Sequence, residues 1–318
     1  MQTATEISAL HDGPLAAPAA SPHPSRLADY YELVKPRMNF LVLATTGVGY
    51  YMASHGGADW ARLAHTLVGT GLTAAGAAVL NQQMERGHDA NMRRTAGRPI
   101  PAGRVGPTEA LLLGVAFSIV GVMQLLLFVN PLTAALGAFT LGSYVFIYTP
   151  LKRITTLCTI VGAVPGALPS VMGWTAVNGN LPAPYLWQIA PQALALFGIL
   201  FFWQMPHFLA IAIMYRDDYA KAGFKMLPVV DPGLRATGMQ IVLWSLTLIP
   251  VSLLPAVEAI HMAGGMYFAA ALIMGLVFTA FGIICAVRRA RPEARQLFFA
   301  SIVYLPFLTA CMMIDKIA

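Results

Sequence analysis

Nine apolar stretches, each close to the length of a bilayer crossing, constrain this chain more than any other feature. They cover about residues 38–54, 64–83, 109–128, 131–149, 156–175, 185–213, 238–256, 265–287 and 297–314. A helix needs about 20 mostly apolar residues to cross the hydrocarbon core. Only 11% of the residues are charged, against about 25% in soluble domains. Lipid leaves backbone polar groups no outside partner, so such segments fold as helices. The expected fold is therefore an all-α polytopic bundle of nine transmembrane helices. Pro191 and Pro206 fall in the sixth span, which is expected to kink or break near its end. Asn130-Pro131 leaves room only for a turn between spans three and four, giving an antiparallel hairpin. Residues 1–30 are rich in Ala, Pro, Ser and His without an apolar run, and read as a disordered tail with no signal peptide. Residues 31–318 read as one membrane domain.

Charge sets the orientation. With the N-terminus in the cytoplasm, 18 of the 20 Lys and Arg residues fall on the cytoplasmic side, all but Arg62 and Lys316. That bias is the one that guides membrane insertion. The net charge of +6 therefore belongs to short loops beside the spans, where it meets anionic lipid. It does not point to nucleic acid. Cys158, Cys285 and Cys311 all lie in apolar spans without ligand spacing, so neither a disulfide nor a cysteine metal site is expected.

The two long polar loops, residues 85–108 and 215–236, both fall on the cytoplasmic side. Asn81, Glu85 and Asp89 are spaced by four and share one helix face, drifting about 40° per step. Charge at the mouth of a membrane bundle is costly and usually functional. Asp217 and Asp218 follow the sixth span as Glu85 and Asp89 follow the second. If the two helix ends face each other, four carboxylates surround one mouth. Mg2+ takes hard oxygens, commonly one or two carboxylates plus substrate phosphates. Glu85, Asp89, Asp217 and Asp218 are thus candidate ligands for Mg2+ carrying a diphosphate. Arg94, Arg98 and Lys221, with Lys152 and Arg153 after the fourth span, can balance the phosphate oxygens. The plainer alternative is a set of interfacial ion pairs, each worth little when exposed. No P-loop occurs, so an ATPase is not inferred. His207, after Pro206, is either an iron ligand or a hydrogen-bonded structural residue. Tyr144 and Tyr148 either reach the diphosphate or, more simply, form an interfacial aromatic belt.

At these residues the chain resembles the UbiA superfamily of intramembrane prenyltransferases, and within it the branch that modifies heme. The first superfamily motif stands as Asn81-x-x-x-Glu85-x-x-x-Asp89, continuing through Met92, Arg94 and Thr95 to Arg98-Pro99. The second stands as Pro206-His207-Phe208, then Asp218-Tyr219-x-x-Ala222-Gly223 and Met226-Leu227-Pro228-Val229. Lys35-Pro36-Arg37 before the first span is a further family-like element. One departure stands out: where many relatives carry a second aspartate in the later motif, this chain has Lys221 or Ala222.

The resemblance implies farnesyl transfer from farnesyl diphosphate to a vinyl group of heme B with addition of water, giving heme O and diphosphate. It implies Mg2+ as cofactor and a bacterial inner-membrane location. Asn81, Glu85, Asp89, Arg94, Arg98, Asp218 and Lys221 would be catalytic. Lys152, Arg153, Tyr148 and His207 would contact diphosphate or heme. It also leaves room for contact with a heme A synthase or with oxidase assembly factors. Two alternatives remain. One is prenyl transfer to a quinone precursor or another aromatic acceptor. The other is a secondary transporter using the carboxylates as ion sites, although transporters place such charges near the bilayer midplane.

Overall fold

The computed structural model describes residues 25–179 and 183–317, with only the backbone for residues 183–190. The expected N-terminal tail lies mostly outside these residues. Its end is helical, because α1 (Arg26–Leu33) begins at Arg26, with Ser25 accepting the Ala28 N–H as N-cap.

The long helices then alternate in direction. They are α2 (Pro36–Ala53), α3 (Trp60–Asp89), α4 (Pro107–Phe128) and α5 (Pro131–Gly142). A π-helical turn (Ser143–Tyr148) joins α5 to the short α6 (Thr149–Leu151). They continue as α7 (Cys158–Asn178) and α8 (Ala183–Met214). Two short helices, α9 (Arg216–Lys221) and α10 (Leu227–Val230), precede α11 (Arg235–Leu253), α12 (Gly265–Arg288) and α13 (Arg291–Ile314).

Eight helical segments among the described residues are long and apolar enough to cross a membrane, with α5 through α6 counted as one. The remaining expected span, α2, is not among them, with Pro36, Arg37 and Asn39 in its first turn. It packs against α7 and α3 and leaves Met38 and Phe40 exposed. The chain is a multi-pass membrane protein. The expected break in the sixth span is absent: α8 runs through both prolines and ends only before Tyr215.

Packing explains why glycine is needed at the α2–α7 crossing. A Cβ on Gly49 would overlap the Ser170 carbonyl, and one on Gly173 the Thr46 carbonyl. Without a strong hydrophobic drive between helices in lipid, such close backbone approach supplies the packing. A second body of helices, α8 with α11, α12 and α13, encloses Trp203, Tyr267, Phe278 and Tyr304. Alternation brings the ends of α3, α6 and α8 and the starts of α2, α7 and α13 to one face of the bundle. The two long polar loops lie on that face.

Candidate active site

The α3 end carries its acids where the periodicity puts them. Asn81, Glu85 and Asp89 are 2%, 6% and 1% exposed, which rules out a solvated charge row. Each meets a partner from another segment. Asn81 Nδ2 donates to Thr149 Oγ1 at 3.0 Å. Lys152 Nζ donates to both Glu85 oxygens at 2.9 and 3.1 Å. Arg98 Nη1 donates to Asp89 Oδ2 at 2.7 Å. These pairs are buried, so they differ from the exposed interfacial pairs of the plainer reading.

The π-helical turn makes two of these contacts possible. One wider turn rotates the residues beyond it about the helix axis, and such turns recur at functional sites. Thr149 Oγ1 bonds back to the Tyr144 carbonyl at 2.9 Å while accepting from Asn81. The Tyr144 and Tyr148 rings meet at a tilt of 39° with centroids 5.3 Å apart. The Lys152 ammonium sits 4.5 Å above the Tyr148 ring. These tyrosines therefore face the polar cluster, contrary to the aromatic-belt expectation. Burial is the largest single influence and opposes the Lys152 charge, but the Glu85 carboxylate, by charge and hydrogen bond, together with Tyr144 and Tyr219 outweighs it and holds the ammonium pKa above its ordinary value.

The two polar loops are tied together. Arg94 lies over Tyr215 and Tyr219, 4.8 and 4.7 Å from their centroids. His88 donates from Nδ1 to the Ala222 carbonyl at 2.9 Å and accepts at Nε2 from Arg153 at 3.3 Å. The Lys225 amide donates to the Lys152 carbonyl at 2.7 Å. Met92, Cys158, Phe224 and Met226 pack beneath this seam.

The later acids lie beside an open cavity of about 1070 Å³, which Asp217, Asp218, Lys221 and Arg94 help to line. Asp217 is exposed and pairs with Arg291 at 3.5 Å. The expectation of four carboxylates around one mouth needs correction on this point. Among the described residues, no three His, Cys, Asp or Glu side chains converge on one point. Arg94 lines this cavity while lying over the loop tyrosines.

The donor set still suits Mg2+. Asp89 Oδ1 is buried with no hydrogen-bond partner among the described residues. Its neighbours on the α3 face offer hard carboxylate and amide oxygens. Substrate phosphates would have to complete the shell, as they commonly do for this ion.

His207 lies elsewhere. Its ring stacks between Trp203 and Phe298 with centroids 5.0 and 5.1 Å away. Ser301 Oγ donates to the Phe298 carbonyl, so His207 Nδ1–H donates to Ser301 Oγ at 2.7 Å. Those contacts join α8 to α13.

Two site residues were missed by sequence reasoning. Thr149 had no motif to mark it. Lys35 was noted without a role, and the structure holds it half-buried in left-handed backbone with φ 48°. Burial, reinforced by the Arg98 and Lys152 charges, lowers its pKa to about 7.

Buried acids and bases thus meet at one mouth of a membrane bundle. The chain belongs to the UbiA prenyltransferase family, whose sequence model matches residues 42–303. It is similar to protoheme IX farnesyltransferase of Solibacter usitatus (strain Ellin6076), 47% identical over 91% of this chain and 99% of that protein. The protoheme IX farnesyltransferase of Koribacter versatilis (strain Ellin345) is 42% identical over 94% and 97%. Among solved structures, an apo UbiA homolog from Aeropyrum pernix K1 shares the fold with TM-score 0.67, at 15% identity over 88% and 98% of the two chains. A homolog from Archaeoglobus fulgidus bound to DMAPP and Mg2+ does so with TM-score 0.62, at 16% identity over 89% and 99%.

Proposed function

We propose that this chain transfers the farnesyl group of farnesyl diphosphate to a vinyl group of heme B, with addition of water, giving heme O and diphosphate. The observation that carries the reading is the α3 face. Asn81, Glu85 and Asp89 are buried there against Thr149, Lys152 and Arg98, in a chain whose near-full-length relatives carry that activity in their name.

Glu85 and Asp89 on α3, and separately Asp218 on the later loop, would hold Mg2+ on the diphosphate. Bound there, the ion supplies positive charge that neutralises the leaving group. Lys152, Arg98, Arg94, Lys221 and Arg153 contribute the remaining positive charge, placed before the reaction begins. Asn81 orients a phosphate oxygen through its amide. The allylic carbon–oxygen bond breaks and its electron pair leaves with the diphosphate. The vinyl π pair then forms the new carbon–carbon bond. Water adds to the resulting cation and releases a proton. The Tyr148 ring, already under an ammonium group, can stabilise the allylic cation by the same ring contact. The enclosing helices keep bulk water from that cation. On this reading the protein sits in the bacterial inner membrane with the N-terminus and both polar loops cytoplasmic, an orientation the bias of basic residues supports.

The test is purified protein with heme B, farnesyl diphosphate and Mg2+, followed by mass analysis of extracted hemes. A gain of one farnesyl group plus one water, abolished by EDTA, is the expected result. No heme adduct, with prenylation of an aromatic quinone precursor instead, would overturn it.

A further inference from the structure

The cavity beside the later acids has a second set of cations that no motif of the reaction uses. Arg291 and Arg295 sit one turn apart on the first turns of α13, so their side chains share a face about 5–6 Å apart at Cβ. Both line the cavity, and Arg93 lines it from the first polar loop. Arg291 donates from Nε to the Met214 carbonyl at 2.9 Å, which anchors its stem, and its Nη2 makes only a long, exposed pair with Asp217 at 3.5 Å. Arg295 lies over Phe299 at 5.6 Å. Met214, Tyr215 and Phe299 supply an apolar wall. The lining as a whole carries five cations against two carboxylates.

This combination suits one type of ligand: a flat apolar body with two carboxylates on one edge. Guanidinium groups recognise carboxylates bidentately, and a cavity of about 1070 Å³ is at the upper end of small-molecule sites, which run from about 300 to 1,000 Å³. We propose that Arg291 and Arg295, with Arg93, form the subsite that binds the two propionates of the porphyrin acceptor. The proposal rests on the heme reading above and deepens it. Propionates and vinyl groups occupy opposite edges of heme B. Holding the propionates at the mouth therefore turns the vinyl edge inward, toward the Arg94 seam and the diphosphate cage. The subsite would choose the acceptor and the edge that reacts, while taking no part in bond breaking.

The test uses full-length protein in nanodiscs and the double variant R291Q/R295Q. Both side chains are exposed, so the fold should be untouched, and a thermal melt checks this. The KM for heme B is expected to rise about tenfold or more, since charged hydrogen bonds are lost, with the KM for farnesyl diphosphate unchanged. Heme B dimethyl ester, which lacks the charges, should be turned over equally by wild type and variant. An R291K/R295K variant should recover part of the heme affinity. An unchanged heme KM, or an ester penalty that persists in the variant, overturns the subsite while leaving the heme reading intact. The same arginines could serve an anionic lipid headgroup. A defect confined to discs containing phosphatidylglycerol and absent in pure phosphatidylcholine would assign them there and overturn the proposal. If wild type fails to farnesylate heme B at all, the heme reading fails first and the subsite falls with it.

Discussion

The Glu85–Lys152 pair can be tested for structural and chemical roles separately. Its charges meet at 2.9 and 3.1 Å with side chains only 12% and 8% exposed for Lys152 and Glu85. At an effective dielectric of about 20, charges about 4 Å apart attract by about 4 kcal/mol. Removing one partner of a buried pair costs about 3–5 kcal/mol, because the other charge is stranded. Glu85→Gln and Lys152→Gln should each lower the melting temperature in detergent by roughly 6–10 °C, taking about 2 °C per kcal/mol for a chain of this size. The double variant places two neutral amides together and should recover most of that loss. Turnover should behave differently. On the reading proposed above, Lys152 would stabilise the charge developing on the diphosphate directly and Glu85 through the Mg2+ it would hold, and losing one such group costs about 10²–10³ in rate. Heme farnesylation by the double variant, followed by mass analysis, should therefore stay at least about 100-fold below wild type despite its restored stability. Recovery of turnover together with stability would refute the catalytic reading and leave only a structural ion pair.

Three further outcomes follow from the geometry. Gly173→Ala should lower stability by about 1–3 kcal/mol, because its new Cβ meets the Thr46 carbonyl, whereas Gly47→Ala, with open space around it, should not; melting curves of the two variants compare them directly. Lys35 releases its proton near pH 7 in the folded chain and near 10.5 when unfolded. The unfolded state therefore binds more protons between those values, and stability rises with pH there. Melting temperatures of wild type against Lys35→Met between pH 7 and 9 should show that rise only in wild type. His207→Ala should lower the melting temperature, since the ring packs between Trp203 and Phe298, and leave the Soret titration with heme unchanged; a shifted heme spectrum would restore the iron-ligand assignment.

Whatever is periodic or local is legible in the sequence. The spans follow from apolar length, and Asn81, Glu85 and Asp89 follow from four-residue spacing on one helix. Arg94 and Arg98 look equivalent there because both flank the same motif. The structure separates them, one over Tyr215 and Tyr219, the other on Asp89. No spacing rule foretells such a divergence within irregular turns. Asp217 looks like a twin of Asp218, but the exposed turn after Met214 directs it to Arg291. Arg291 lies too far along the chain for local reasoning to find. Lys35 is legible only as part of a family-like element and not as a site residue, because a left-handed lysine has no sequence signature.

The π-helical turn at Ser143–Tyr148 also bears on how this site could arise or be lost. A π turn is in effect an α-helix that has accommodated one extra residue, and one residue is about 100° of rotation. Thr149 and Lys152 thus owe their bearing to a length change in the helix, not to their own identities. Deleting a single residue from that turn would preserve both side chains while swinging them off α3. A residue-by-residue substitution scan would score each position separately and never sample that change, because the relevant variable is the register of the chain.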